Sequence, residues 1–106
     1  MTPLETLKAA RQLITDPAKW TQGEFARDVD GSASFALSER AHCYCALGAL
    51  EKVIGRPDYT DAYDKLWRVC RTKFGTDVAA FNDTHTHAEV LALFDAAIAE
   101  LEGVQS

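Results

Sequence analysis

Cys43-Tyr44-Cys45-Ala46-Leu47-Gly48-Ala49-Leu50 is the stretch on which the fold turns. It carries no charge, and Ala46, Gly48 and Ala49 are small. A helix that is apolar all round is buried all round, and the small residues are expected to let neighbouring helices approach closely. Ser38 supplies a cap before it, and Gly55 with Pro57 beyond supplies a stop after Ile54. This predicts a central helix over about 39–54 with the other elements wrapped around it.

Working outward, Thr2-Pro3-Leu4-Glu5 reads as a capping box with proline at the first helical position. Leu4, Leu7, Ala10 and Ile14 then recur at helical spacing, and Asp16-Pro17 ends the helix. On the far side, Thr60 caps a third helix whose predicted stripe is Tyr63, Leu66, Trp67, Cys70 and Phe74, stopped at Gly75. Thr76 to Phe81 predicts one short helical stretch broken at Asn82-Asp83. Thr86 with Glu89 forms a second capping box. It opens a last helix with Val90, Leu91, Phe94, Ala97, Ile98 and Leu101 inward, ended by Gly103.

Between Pro17 and Leu37 the helical period fails. Asp30-Gly31, flanked by Phe25 and Val29 before and Ala33 and Phe35 after, predicts a small β-hairpin near 24–36. Its favoured turn would need positive φ at both central residues. A lone ribbon is marginal and has to lie on the helices. The expected architecture is mainly α: a compact bundle of four to five helices, with residues 1–106 forming a single domain.

Composition narrows the function classes. The net charge of -5, with 11 Lys and Arg spread along the chain, argues against a nucleic-acid footprint, which needs clustered cations. No apolar run approaches the roughly 20 residues of a membrane span, and charges interrupt the first dozen residues where a signal peptide would be apolar. The three cysteines, odd in number and with Cys43 and Cys45 one residue apart, read as reduced and mostly buried thiols in a cytoplasmic protein.

Several chemistries deserve weighing. Cys43, Cys45, His85 and His87 suggest a metal site, but residues i and i+2 on a helix point about 200° apart. His42 and Cys45 could share a face with the later histidines, yet the spacing matches no zinc module. Cys45 with His85 or His87 and with Asn82 or Asp83 could supply a thiol nucleophile and its base. A cysteine two turns inside a helix begun near Ser38 lies beyond the useful range of the helix dipole. Asp28-Val29-Asp30-Gly31 resembles part of a calcium loop, but Ala26 and Leu37 stand where its first and last ligands belong. No cofactor is implied. Lys65, Arg68, Arg71 and Lys73 give the third helix a basic side, read as a solvated face or as a dock for an acidic partner.

Polar residues in segments expected to be irregular form the candidate binding set: Trp20, Gln22, Gly23, Arg27, Asp28, Asn82, Asp83 and His87. Together with Cys45-Ala46-Leu47-Gly48-Ala49-Leu50 and His87-Ala88-Glu89-Val90-Leu91, the segments Trp20-Thr21-Gln22-Gly23, Ala26-Arg27-Asp28 with Gly31, and Asn82-Asp83 resemble a family of small bacterial and phage proteins, a domain of unknown function. The resemblance spans nearly the whole chain and implies no activity. In that family a tryptophan often precedes the Asn-Asp pair where this chain has Phe81, and Cys43 is not part of the pattern.

Two function classes follow. One is a non-enzymatic protein-interaction or regulatory module that meets a protein partner or forms a homo-oligomer. The other is a small enzyme or ligand-binding protein using the Trp20, Gln22, Asp28, Asn82, Asp83 and His87 region, with Cys45 as a thiol. The balance leans away from an enzyme. Convergence of those groups on an open pocket would favour the second class, and an interlocked network would favour the first.

Overall fold

A computed structural model describes residues 1–56 and 60–103 of the chain. Pro57, expected just past the second helix, lies outside them. The described residues form five helices and one small antiparallel sheet: α1 (Pro3–Leu13), β1 (Ala26–Arg27), β2 (Ala33–Ser34), β3 (Cys43–Tyr44), α2 (Ala46–Ile54), α3 (Asp61–Phe74), α4 (Val78–Thr84) and α5 (His87–Gly103). A single 3-10 turn, Pro17–Lys19, follows α1. The fold is mainly α, as expected.

Both capping boxes form. Thr2 Oγ1 accepts from Glu5 N while Thr2 N donates to Glu5 Oε1, and Thr86 and Glu89 repeat the exchange at the start of α5. α1 packs on α2, α3 and α5, with Leu7, Ala10 and Ile14 fully enclosed beside Val90, Leu93, Phe94 and Ala97.

The central helix is shorter than expected, because the uncharged stretch divides. Cys43 and Tyr44 are extended and pair with Arg27 and Ala26 of β1, and the helix begins only at Ala46. Ser38 caps no helix; its hydroxyl holds a turn by accepting from Arg40 N. The true cap is Cys45, whose Sγ accepts from Gly48 N at 3.3 Å. Cysteine is not among the residues that usually mark a helix start. Ala46, Gly48, Ala49 and Leu50 are buried, but Leu47 and Glu51 are partly exposed, so the helix is not enclosed on every side.

The small residues serve an approach different from the expected one. A Cβ at Gly48 would stand 1.9 Å from the carbonyl oxygen of Phe25. That same oxygen accepts from Cys45 N at 3.1 Å. The glycine therefore lets the ribbon, rather than a helix, lie directly on the start of α2.

The hairpin sits where expected, with Ala26 opposite Ser34 and Arg27 opposite Ala33, and β3 on the other side of β1 completes the order β2-β1-β3. Its turn differs. Only Gly31 has positive φ, Gly31 N donates to Asp28 O, and Asp28 N donates to Ser32 O. The Asp28 carboxylate accepts from Asp30 N and Ser32 N. This aspartate-held three-residue loop, closed by a left-handed glycine, replaces the expected two-residue turn.

Two further expectations are corrected. The buried face of α3 is Ala62, Leu66, Val69 and Cys70, with Trp67 and Phe74 exposed. The aromatic residues lie on one flank of the Leu66–Cys70 line, whereas small Ala62 and Val69 lie on the flank that packs inward. Asn82-Asp83 does not break α4, which is capped by Asp77 and runs on to Thr84. Short polar side chains disfavour a helix when they compete for their own backbone. Three of the four side-chain hydrogen bonds of Asn82 go instead to groups outside its helix.

Candidate functional site

The Asn82 side chain is fully enclosed, and every hydrogen-bonding capacity of its amide is used. Its Oδ1 accepts from Trp20 Nε1 at 2.8 Å and from Ala46 N, the first helical N–H of α2, at 3.0 Å. Its Nδ2 donates to Thr21 O at 3.0 Å and to Asp83 Oδ1 at 3.1 Å. One side chain thus ties α4, the Trp20–Thr21 segment and the N-terminus of α2 together.

The neighbouring candidates extend this knot. Gln22 Nε2 donates to the carbonyls of Asn82 and His85, both at 3.0 Å, closing the C-terminal end of α4. Gly23 N donates to Asp83 Oδ1 at 2.9 Å. Arg27 spends its guanidinium on Thr21 Oγ1, Gly31 O and Gln22 O. His87 Nε2 donates to Ile14 O at 2.7 Å, satisfying a carbonyl at the end of α1, with its ring 5.4 Å from that of Trp20. Asp28 stands apart, occupied by its turn and facing Arg40 at 3.9 Å. Seven of the eight candidates therefore converge, and they converge on one another. Among the described residues no buried side-chain nitrogen or oxygen lacks a partner.

Cys45 lies at a helix N-terminus, not two turns inside one, so the distance argument against its activation does not hold. Burial nonetheless pushes its thiol pKa up, against smaller opposing hydrogen bonds from Gly48 and Leu47, and the charges of Asp83 and Glu51 push the same way. At neutral pH the group is a thiol. No histidine is hydrogen-bonded to it; His85 Nδ1 is instead directed at Phe81 O, its ring stacked on Phe81 at 3.8 Å. The hollow beside Cys45, lined by Phe25, Leu47, Ala79 and Asp83 among others, measures about 180 Å³. Small-molecule pockets begin at roughly 300 Å³. Among the described residues no three His, Cys, Asp or Glu side chains are grouped so as to hold a metal ion.

The larger concavity lies elsewhere. A groove of about 610 Å³ is lined by Phe25, Phe35 and Leu37 with Ala33, Ser34 and Ala36, by Glu24, and by Glu51 of α2. Phe35 is 87% exposed, Phe25 49% and Leu37 42%. Sequence reasoning placed Phe25 and Phe35 only as flanks of the hairpin. Phe35 and Leu37 flank buried Ala36 in a turn that Ser38 N closes by donating to Phe35 O, so the large apolar side chains stay outside while the small one goes in.

The basic side of α3 is partly neutralised, with Lys65 paired to Glu100 at 3.1 Å and Arg68 to Asp64 at 2.8 Å. Arg71 lies over the Trp67 ring, 5.8 Å from its centroid.

Among the described residues, five helices around an apolar core, a three-stranded ribbon laid on α2 and a side-chain knot at Asn82 define a mainly helical fold with a built-in β-ribbon. A family model, described only as a family of unknown function (DUF6197), matches residues 1–100, and the chain belongs to that family. No curated protein and no solved structure matches it. Among the described residues no helix is long and apolar enough to cross a membrane.

Proposed function

We propose that residues 1–106 act as one domain, a non-enzymatic protein-interaction module, cytoplasmic and of bacterial or phage origin, with a regulatory or accessory role. The observation that carries this reading is the contrast between candidate sites. The polar residues that could have done chemistry are spent on one another, whereas the apolar groove at Phe25, Phe35 and Leu37 is left open to water. Contiguous exposed apolar surface is what protein-interaction sites present. The origin rests on the motif resemblance, and the compartment on three free cysteines, two of them buried.

Site-specific crosslinking tests the module. The photo-crosslinker p-benzoylphenylalanine is placed at position 35 and, as a control outside the groove, at position 12 on α1. Irradiation in the native cell should yield one defined protein adduct from position 35 and none from position 12. Equal yields from both positions, or none from either, would overturn the reading.

A further inference from the structure

The groove is not merely apolar; its lining carries two carboxylates. Glu24 precedes Phe25 in the chain, and Glu51 comes from α2. Neither carboxylate has an ion pair or a side-chain hydrogen bond among the described residues. Glu51 is half-buried, and that burial raises its carboxyl above the ordinary value, so its charge is incompletely solvated. A cation brought there would meet a carboxylate that water serves poorly and that no group among the described residues neutralises. An apolar side chain entering at the same time would cover Phe35 and Leu37.

The geometry points to an occupant of definite chemistry: a segment of another protein that presents apolar side chains flanked by lysine or arginine, the apolar residues covering Phe25, Phe35 and Leu37 and the cations pairing with Glu24 and Glu51. This rests on the groove being the docking surface. Three other occupants fit less well. Nucleic acid and anionic lipid carry negative charge toward the same carboxylates. A second copy docked groove to groove about a two-fold axis brings the acidic lining of both copies together, carboxylate toward carboxylate.

The probe is a short blocked peptide of alternating leucine and lysine, titrated into the whole chain and followed by backbone amide shifts. Three matched peptides accompany it, one with serine for leucine, one with glutamine for lysine and one with glutamate for lysine. The leucine-lysine peptide should shift the resonances of Phe25, Phe35, Leu37 and Glu51. Its binding should weaken about tenfold in the Glu24→Gln, Glu51→Gln double variant and about as much in Phe35→Ser. Both variants alter exposed or half-exposed groups, and an unchanged amide spectrum elsewhere certifies the fold. If the glutamine peptide binds the groove as tightly as the lysine one, the cationic occupant is overturned while the docking surface survives. If no peptide shifts the groove residues, or all shifts fall elsewhere, both readings go. Concentration-dependent self-association by light scattering that Phe35→Ser abolishes would make the occupant a second copy, and would overturn the proposal as well.

Discussion

Two regions of this molecule lie on opposite sides of Phe25. Its carbonyl is pressed against Gly48 and hydrogen-bonded to Cys45 N, next to the Asn82 knot, while its side chain opens onto the groove. On the first side no buried side-chain nitrogen or oxygen among the described residues lacks a partner. On the second, large apolar side chains and two carboxylates line an open groove, and among the described residues no cation pairs with either carboxylate. Saturated polar networks hold elements in one arrangement; unsaturated surface is what remains for a partner. The contrast supports the proposal that the polar residues most suggestive of chemistry hold the fold together and that the bland apolar ones are the available surface.

The sharpest way to break that contrast is Gly48→Ala. Its Cβ would meet the Phe25 carbonyl oxygen at 1.9 Å, and the three nearest atoms are all Phe25 backbone, so the ribbon must lift from α2. The expected loss is about 3 kcal/mol or more, read from the urea midpoint. A loss under about 1 kcal/mol would mean that the ribbon is not clamped there.

Next in size is Asn82→Ala. It leaves Trp20 Nε1 and Ala46 N without their acceptor and Thr21 O without its donor, which should cost roughly 2–3 kcal/mol. Cys45 reports on the same event. In the native protein its buried thiol, with its pKa pushed up, should resist alkylation at neutral pH. In Asn82→Ala it should become reactive as the start of α2 loosens. Rapid alkylation of native Cys45 would show that the knot does not seal that helix end.

The smallest expected effect on stability sharpens the contrast from the other side. Phe35→Ser removes a side chain that is 87% exposed and should change the midpoint by less than about 0.5 kcal/mol. Should it cost as much as Asn82→Ala, Phe35 is holding the fold and the groove is not free surface.

Much of the architecture was legible in local chemistry. Thr2 with Glu5, Thr86 with Glu89, Gly55 and Gly75 each act on neighbours a few residues away, and each marks a helix end where expected. The start of α2 was not legible, because its cap is a cysteine, a weak acceptor, and because Cys43-Tyr44 suits strand and helix alike until β1 is present to pair with it. The face of α3 was misjudged because Trp67 and Phe74 look like core by size, although the flank with Ala62 and Val69 packs closer. The site was half legible. Trp20, Gln22, Gly23, Asn82, Asp83 and His87 stand out as polar or aromatic residues beyond the helical stripes, and they do meet. That they satisfy one another depends on distances between segments some 60 residues apart in sequence, which no local pattern contains.

By itself, then, the chain determined what short-range forces decide: a mainly helical fold, its caps and stops, the place of the hairpin, and an acidic balance that disfavours nucleic acid. Only the tertiary structure decided where the uncharged stretch changes from strand to helix, which side chains close on one another around Asn82, and which apolar residues are left outside. The physical reason is one of range. A cap or a turn is a contract between neighbours, whereas burial and polar satisfaction are settled only when distant segments arrive together.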